Sequence, residues 1–327
     1  MMADKEDKQF RNGPIRSPGK NTAFQTLAAH IPSGHIVCFG KLLGRLIYLL
    51  DIPHRRIVRR NLRFAYPHWP QEHIQAISER TFQNIGITIT EIFQAASFSC
   101  DDLLGKISIR GEGHIENALK LNRGLILVSA HLGNWEVGLQ FLSCYMQMPI
   151  TGVAKRIRYE PLNRRLNALR TRFGLKIINK KGALPQMRQA LRRGEVMGLL
   201  IDQSKRSESV DVRFFGHTVT APSAAAMLAL RCKSPVVPIF CVREAGYKLA
   251  FYAEPPLEIK RTHDLRSDLA TNTQMMTDII EKMIRKYPDQ WLWLHKRWKK
   301  HYPHLYPEFF ARRQRRKERE RREILKR

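Results

Sequence analysis

The sequence has few cysteines and lacks the common short signatures of metal and nucleophile chemistry. Its five cysteines are scattered, and none forms a CxxC pair or a cysteine–histidine cluster. This pattern predicts a reducing compartment, no structural metal and no disulfide framework. The chain has no HExxH, which argues against zinc hydrolysis. It also has no GxSxG, which argues against the nucleophile elbow of α/β hydrolases. We expect no metal and no cofactor.

Acidic residues are scarce beside basic ones. The chain has 57 lysines and arginines against 29 aspartates and glutamates, a formal net charge of +28. Such a surface attracts an anionic partner, which could be nucleic acid, anionic lipid or an acidic carrier protein. The last seventeen residues contain ten basic and three acidic residues, but the rest of the chain is strongly basic as well.

Long apolar runs are also scarce, and the polar N-terminus has no signal-peptide pattern. Residues 31–50, IPSGHIVCFGKLLGRLIYLL, form the most apolar stretch, which contains Lys41 and Arg45. As a helix it would be just shorter than a bilayer core. We predict a monotopic helix lying in the membrane interface, with a spanning helix or a buried core helix as alternatives. The arginines of residues 54–67 would then meet anionic headgroups.

From residue 106 onward, strand patterns alternate with helix patterns. The segment GLILVSA is continuously apolar, as in a strand buried on both faces. The alternation predicts an α/β fold in a single domain, with a mixed, mostly parallel central sheet flanked by helices. The predicted organisation is a disordered polar N-terminus (1–22), membrane-associating helices (23–66), the main domain (67–306) and a basic tail (307–327).

The segment HLGNWE follows the most apolar strand and contains His131 and Glu136. One helix through both would turn them about 140° apart. They can meet only if His131 ends the strand, Gly133 makes the turn and Glu136 lies in the first turn of the next helix. That sheet edge is where α/β proteins place their chemistry. If His131 is a catalytic base, the chain offers it no nucleophile of its own, so it would activate a hydroxyl or a water molecule. The alternative to a catalytic role is that His131 is a core histidine and that Glu136 is a residue favoured at a helix N-terminus.

Two further stretches carry chemistry-bearing residues. Asp202 and Gln203 end another predicted strand in LLIDQS. The segment PDQWLWLHKRWKK interleaves Trp291, Trp293 and Trp298 with lysines and arginines. That mixture suits a membrane interface or single-stranded nucleic acid. The alternatives are a helix-capping or turn-capping role for Asp202 and core packing for one or two of the tryptophans.

Together, these motifs resemble those of the bacterial late acyltransferases of lipid A biosynthesis, within the lysophospholipid acyltransferase superfamily. The motifs RRNLRFAYP, HLGNWE, LRTRFG, LLIDQS, FFGHTVTAPSAAAMLA and PDQWLWLHKRWK occur in the family order between residues 24 and 305. The resemblance implies a glycerolipid-acyltransferase-like fold at the cytoplasmic face of a bacterial inner membrane. It also implies transfer of a fatty acyl chain from acyl carrier protein or acyl-CoA to a hydroxyl of a lipid A precursor.

The resemblance implies roles for individual residues. His131 would be the general base on that hydroxyl, and Glu136 would orient and stabilise its imidazole, without an acyl-enzyme. By the same resemblance, the residues that bind substrate, phosphate or developing charge would be Asn134, Trp135, Arg156, Arg170 and Asp202.

The expected partners explain the basic charge. Acyl carrier protein, lipid A phosphates and the inner leaflet are all anionic, and we expect no nucleic-acid partner. Three other functions remain open. They are acyl transfer to a different glycolipid or lysophospholipid, hydrolysis with the same residues, and nucleic-acid binding, which would depend steeply on salt and not on His131.

Overall fold

The computed structural model describes residues 31–154, 157, 159–179, 182–204, 208–311, 314 and 318. The predicted disordered N-terminus, Arg156 and most of the predicted basic tail lie outside these residues. The prediction of a substrate-binding role for Arg156 is therefore not tested by the geometry below.

Ten α-helices have both ends within the described residues, and residues 307–311 are helical as well. The ten are α1 Ser33–Leu50, α2 Ile52–Ala65, α3 Gln71–Ala95, α4 Cys100–Lys106, α5 Glu112–Lys120, α6 Trp135–Met146, α7 Glu160–Thr171, α8 Ala183–Arg192, α9 Ala224–Cys232 and α10 Leu265–Lys286. The described residues also contain three short 3₁₀ helices, one before α10 at Ala245–Tyr247 and two after it at Pro288–Gln290 and Pro303–Leu305.

A mixed, mostly parallel sheet of seven strands forms the centre, which confirms the predicted α/β class. Its strands are β1 Ser108–Arg110, β2 Leu125–Ser129, β3 Ile150–Ala154, β4 Lys176–Asn179, β5 Val196–Leu200, β8 Val236–Arg243 and β9 Leu249–Ala253. Their order is β1-β9-β8-β2-β5-β3-β4, and only β8 and β9 pair antiparallel. Strand β2 is central, and its apolar run is buried on both faces. The C-terminal ends of β2 and β5 therefore lie side by side.

Three features differ from the sequence-based prediction. The segment after Asp202, for which the sequence predicts a polar loop and no strand, contains a hairpin of β6 Ser209–Phe214 and β7 His217–Pro222. The short helix α4 is a second difference, because its seven residues are too few to show a helical periodicity in the sequence. The expectation of no disulfide is also wrong, because Cys100 at the start of α4 bonds to Cys144 on α6. Tertiary packing brings together two cysteines that are 44 residues apart, so no spacing rule reveals the pair.

Helices α1 and α3 cross at close range through glycines. A Cβ atom at Gly44 would overlap the backbone of Phe82 and Gln83, and one at Gly86 would overlap the backbone of Gly40 and Gly44. Only glycine permits this approach. One face of α1 is thereby fixed against α3. The opposite face remains exposed and is apolar, with Phe39, Leu42, Leu46, Leu49 and Leu50.

The tryptophans of the PDQWLWLHKRWKK segment are core residues. Trp291, Trp293 and Trp298 are each at most 1 % exposed, and Arg297 between them is 1 % exposed. The interpretation of this segment as a membrane-interface or nucleic-acid surface is therefore wrong for these rings. They pack against each other and against Phe214 of the hairpin that the sequence did not predict. Because Phe214 is distant in sequence, the residues around the tryptophans do not reveal that the rings are buried.

Candidate functional site

The loop between β2 and α6 contains His131, which lies at the edge of the sheet. Helix α6 follows the loop, and its N-terminus is capped. Gly133 has φ +62°, and a Cβ atom there would overlap the carbonyl of Cys241. Asn134 is the N-cap of α6, because its side-chain oxygen accepts a hydrogen bond of 3.1 Å from the backbone N–H of Val137. As predicted, Glu136 therefore lies in the first turn of α6.

His131 pairs with Asp202, which follows the end of the neighbouring strand β5. The Nδ1 atom of His131 lies 2.8 Å from Oδ1 of Asp202. An ionised carboxylate only accepts hydrogen bonds, so Nδ1 carries the proton and Nε2 keeps its lone pair. The amide nitrogen of Gln203 lies 3.4 Å from Nδ1 and 3.5 Å from Nε2. These are the only hydrogen-bond partners of the imidazole among the described residues.

Two further donors hold Asp202 in place. Its Oδ2 atom accepts hydrogen bonds from the backbone N–H of His131 at 3.1 Å and from Nε1 of Trp291 at 2.9 Å. Burial by itself would raise the pKa of this carboxyl. The positive charge of protonated His131 and the three hydrogen bonds outweigh burial and hold the pKa far below its usual range.

The same pair sets the basicity of the imidazole. Burial is the largest single influence and lowers the pKa of His131, but the charge and hydrogen bond of Asp202, together with the charge of Glu136, outweigh it. Glu136 adds a smaller increase and Arg170 a small decrease. The result is a pKa above the ordinary value of 6.5, so His131 is a stronger base than a free imidazole.

Glu136 contacts Arg170 rather than His131, which corrects the expected orienting role. The Nε atom of Arg170 donates to Oε2 of Glu136 at 2.8 Å, and Nη2 of Arg170 donates to Oε1. Arg170 on α7 thus engages both carboxylate oxygens in a bidentate pair. Asp202 reaches the imidazole because β2 and β5 are neighbours, a pairing that the sequence does not reveal.

A buried clamp, which we define as Thr88, Glu91, Asn134, Arg243 and Gln290, holds the loop from behind. Asn134 donates a hydrogen bond of 2.8 Å to Glu91, and Nε of Arg243 donates to Glu91 at 3.0 Å. Thr88 donates to the carbonyl of Gly133, whose own N–H donates to the carbonyl of Gln290. Elements distant in sequence thereby fix the backbone between His131 and Glu136.

The sequence reasoning missed the clamp, although it left a signal. Glu91 and Arg243 are charged residues in otherwise uncharged segments, ITITEIF and VVPIFCVR. Their side chains are 11 % and 2 % exposed. Buried charges are almost always paired, so each indicates a partner without identifying it.

Two apolar cavities meet at Trp135 and Glu136. The first, which we call the slot, lies between α6 and the sheet and has a volume of about 80 Å³. Its lining includes Leu127, Ser129, Leu139, Gly152, Gly198 and Phe251. The second, the groove, has a volume of about 350 Å³, and its lining includes Ile85, Ile89, Phe93, Leu166, Leu169 and Leu292. The Trp135 ring lies edge-on to His131, with centroids 5.1 Å apart.

The arrangement defines a class of protein. An imidazole hydrogen-bonded to a buried carboxylate, and an arginine–glutamate ion pair, lie at the strand ends of an α/β sheet near two apolar cavities. No cluster of three or more His, Cys, Asp or Glu side chains suited to a metal occurs among the described residues. Such a site suits acid–base chemistry on substrates that carry hydrocarbon chains.

Comparison with known proteins identifies the family. The model of the bacterial lipid A biosynthesis acyltransferase family matches residues 21–300, so the chain belongs to that family and is an O-acyltransferase. The chain is 27 % identical over 282 residues to the lipid A biosynthesis lauroyltransferase of Escherichia coli (strain K12), covering 84 % of this chain and 88 % of that protein.

Two other relatives show the range of the resemblance. The lipid A biosynthesis palmitoleoyltransferase of Escherichia coli (strain K12) is 24 % identical over 81 % of this chain and 85 % of its own length. The phosphatidylinositol mannoside acyltransferase of Mycolicibacterium smegmatis (strain ATCC 700084 / mc(2)155) is 27 % identical over 57 % of this chain and 60 % of its own length. Both names describe acyl transfer, and they differ in the acceptor.

Proposed function

We propose that this chain transfers a fatty acyl chain from acyl carrier protein, or from acyl-CoA, to a hydroxyl of a lipid A precursor. The observation that carries the proposal is the hydrogen bond between Nδ1 of His131 and Asp202. It leaves Nε2 as the proton acceptor, and the ring of Trp135 next to the imidazole lines two cavities suited to hydrocarbon. Most of the chain is similar to relatives whose names describe acyl transfer in lipid A biosynthesis.

In the proposed mechanism, Nε2 of His131 removes the proton of the acceptor hydroxyl as its oxygen attacks the thioester carbonyl. The C–O bond forms, the tetrahedral intermediate collapses, and the thiolate leaves with the proton from the imidazolium. General base catalysis of this kind is worth roughly 10²–10⁴-fold in rate. Only Asp202 and Gln203 hydrogen-bond the imidazole among the described residues. The absence of a serine or cysteine there supports direct attack without an acyl-enzyme.

In this mechanism Asp202 fixes the tautomer of His131 and stabilises its cation. Glu136 has a different role, because its partner is Arg170. We assign to Glu136 the positioning of that guanidinium, which binds the developing oxyanion or a substrate phosphate. Trp135 lies between His131 and the cavities, whereas Asn134 is buried and positions the loop through Glu91 instead of binding substrate.

The proposed location is the cytoplasmic face of the bacterial inner membrane. Helix α1 is the one described helix long and apolar enough to cross a membrane. Its exposed apolar face and its fixed opposite face support a helix that lies in the interface. The net charge of +28 supports attraction to anionic lipid and to an acidic carrier protein.

The deciding experiment is mass spectrometry of lipid A from a Gram-negative strain without its own late acyltransferases. The strain would express the wild type or His131→Ala. We expect one added acyl chain with the wild type and none with the variant, at equal protein levels in the membrane. Unchanged lipid A with a folded, membrane-bound wild type would contradict the lipid A acceptor. Assays with purified acyl carrier protein and coenzyme A thioesters would then identify the donor.

A further inference from the structure

Arg297 is a buried cation with an unusual set of contacts. Its residue is 1 % exposed. Within the part of the chain that the structure describes it forms no ion pair, whereas the similarly buried Arg243 pairs with Glu91. Its Nε atom also has no hydrogen-bond partner there. A buried charge without a neutralising partner in contact is costly, so its presence in the core needs a reason.

The contacts of Arg297 hold the segment that carries Asp202. Ser204, two residues after Asp202, donates a hydrogen bond of 2.8 Å from Oγ to the carbonyl of Arg297. The Nη1 atom of Arg297 donates back to Oγ of Ser204 at 3.2 Å and also donates to the carbonyl of Thr220 on β7. The guanidinium lies 5.3 Å from the ring centroid of Phe214 on β6. Arg297 therefore ties the segment after β5 to the hairpin.

Asp202 needs a positive charge nearby that does not depend on His131. Burial raises the pKa of this carboxyl, and the charge of protonated His131 is the largest influence that lowers it. That charge is absent in the neutral imidazole that the proposed mechanism requires. The buried carboxylate is then left with hydrogen bonds alone unless a fixed cation lies near it.

Arg297 is such a cation. Burial lowers its pKa to about 10 against the opposing charge of Asp202, so the guanidinium stays positive at neutral pH. His295 also lies close enough to interact with the charge of Asp202, but burial lowers its pKa to about 3 and it stays neutral. Three further charged side chains act on His131 or His295: Glu136, Arg170 and Lys299.

We propose that Arg297 is a positioning residue for proton transfer at His131, an inference that rests on the proposed function. Its guanidinium holds the segment of Asp202 in place and balances the charge of that carboxylate while the imidazole is neutral. When His131 takes up a proton, Asp202 lies between two cations, so Arg297 opposes protonation of the imidazole. The base therefore stays available beside a carboxylate that by itself favours the protonated form.

The test measures the protonation of His131 without substrate. Diethyl pyrocarbonate reacts with the neutral imidazole, so its rate of reaction with His131 at a series of pH values gives a midpoint. Peptide mass spectrometry of the detergent-solubilised, full-length protein reads that rate. Arg297→Met removes the cation, and the midpoint should rise by about 0.5–1 pH unit. Arg297→Lys keeps the charge and should leave the midpoint within about 0.3 pH unit of the wild type.

Two variants calibrate that shift. Asp202→Asn should move the midpoint in the opposite direction, because it removes a negative charge beside the imidazole. Lys300→Met removes a surface charge from the same segment, at a side chain that is 57 % exposed. Its midpoint should match that of the wild type, because water and salt screen an exposed charge.

Three outcomes would overturn the proposal. An unchanged midpoint in folded Arg297→Met would mean that the guanidinium only packs. A lower midpoint would mean that this variant loses the contact of Asp202 with His131. An equal rise in Arg297→Lys would mean that charge is not the cause. If Arg297→Met does not fold, Arg297→Gln decides, because its neutral amide can still donate to the carbonyl of Thr220.

Activity separates failure of this proposal from failure of the proposed function. The acid limb of kcat/KM for acyl transfer should move with the modification midpoint in Arg297→Met. If the wild type transfers no acyl chain, the proposed function fails, and a raised midpoint in Arg297→Met still supports charge balance at Asp202. If the wild type transfers the chain and neither the limb nor the midpoint moves, the role of Arg297 alone is refuted.

Discussion

The Nδ1 atom of His131 and the Oδ1 atom of Asp202 lie 2.8 Å apart, although 71 positions separate the two residues in the sequence. Both follow the ends of adjacent parallel strands, so the sheet itself brings them together. The carboxylate nearer in sequence, Glu136, is engaged by Arg170. The carboxylate that contacts His131 is therefore set by strand order and not by the spacing within HLGNWE.

The first prediction concerns the pH dependence of activity. In the proposed mechanism neutral His131 is the active form, so kcat/KM should fall as the pH decreases through its raised pKa, which lies above 6.5. Asp202→Asn removes the charge that raises this pKa and leaves burial, which lowers it. The acid limb should then move to lower pH, with kcat reduced on the order of 10²-fold or more. The measurement is a pH–rate profile with purified enzyme.

Glu136→Gln is the matched control for that profile. Its charge raises the pKa of His131 less than the charge of Asp202 does, so the acid limb should move less. Loss of the Arg170 ion pair should instead appear mainly as slower catalysis or weaker substrate binding. A larger shift of the limb in Glu136→Gln than in Asp202→Asn would restore Glu136 as the orienting carboxylate.

The second prediction concerns the buried clamp. Arg243→Met leaves Glu91 buried without its charge partner, which should lower the free energy of unfolding by about 3–5 kcal/mol. The double variant Arg243→Met with Glu91→Met should be less destabilised than the sum of the two single variants, because neither charge remains alone. Chemical denaturation of the detergent-solubilised protein measures these differences.

An exposed ion pair serves as the comparison for the clamp. The Arg193 side chain is 53 % exposed and pairs with Glu195 across a surface turn. Arg193→Met should cost less than about 1 kcal/mol, because exposed pairs contribute little. Equal losses at Arg193 and Arg243 would mean that the clamp is not a stabilising element.

The third prediction concerns the crossing of α1 and α3. Gly44→Ala forces a methyl group into the backbone of Phe82, and overpacking of this kind costs about 1–3 kcal/mol or more. Gly34→Ala is the control, since it lies on the same helix with nothing within 4 Å of the added Cβ. We expect a lower melting temperature for Gly44→Ala and an unchanged or slightly higher one for Gly34→Ala. Equal melting temperatures would show that α1 does not dock as described.

The sequence predicted much of this fold because its signals are local. The buried strand GLILVSA, the N-cap Asn134 and the start of α6 follow from periodicity and capping. The partner of His131, the disulfide of Cys100 and the burial of Trp291 depend instead on which strands and helices become neighbours. For Trp291 the composition led to a wrong prediction. Tryptophans flanked by lysines are typical of a membrane interface, but this ring packs against Phe214 in the core.

The last prediction concerns the apolar face of α1. Leu42 and Leu46 are 65 % and 52 % exposed on the side opposite the α3 contact. If this face enters the membrane interface, each leucine replaced by serine should weaken binding to anionic vesicles roughly tenfold. Leu265→Ser, at an equally exposed position (48 %) on α10, should leave binding unchanged. The measurement is cosedimentation with vesicles containing phosphatidylglycerol.

Salt separates the two contributions to that binding. Attraction between the basic protein and anionic lipid is screened at high ionic strength, whereas burial of apolar side chains is not. Residual binding of the wild type at high salt should therefore disappear in the Leu42→Ser and Leu46→Ser double variant. If high salt alone releases the wild type completely, the basic surface holds the protein on the membrane and the apolar face of α1 does not insert.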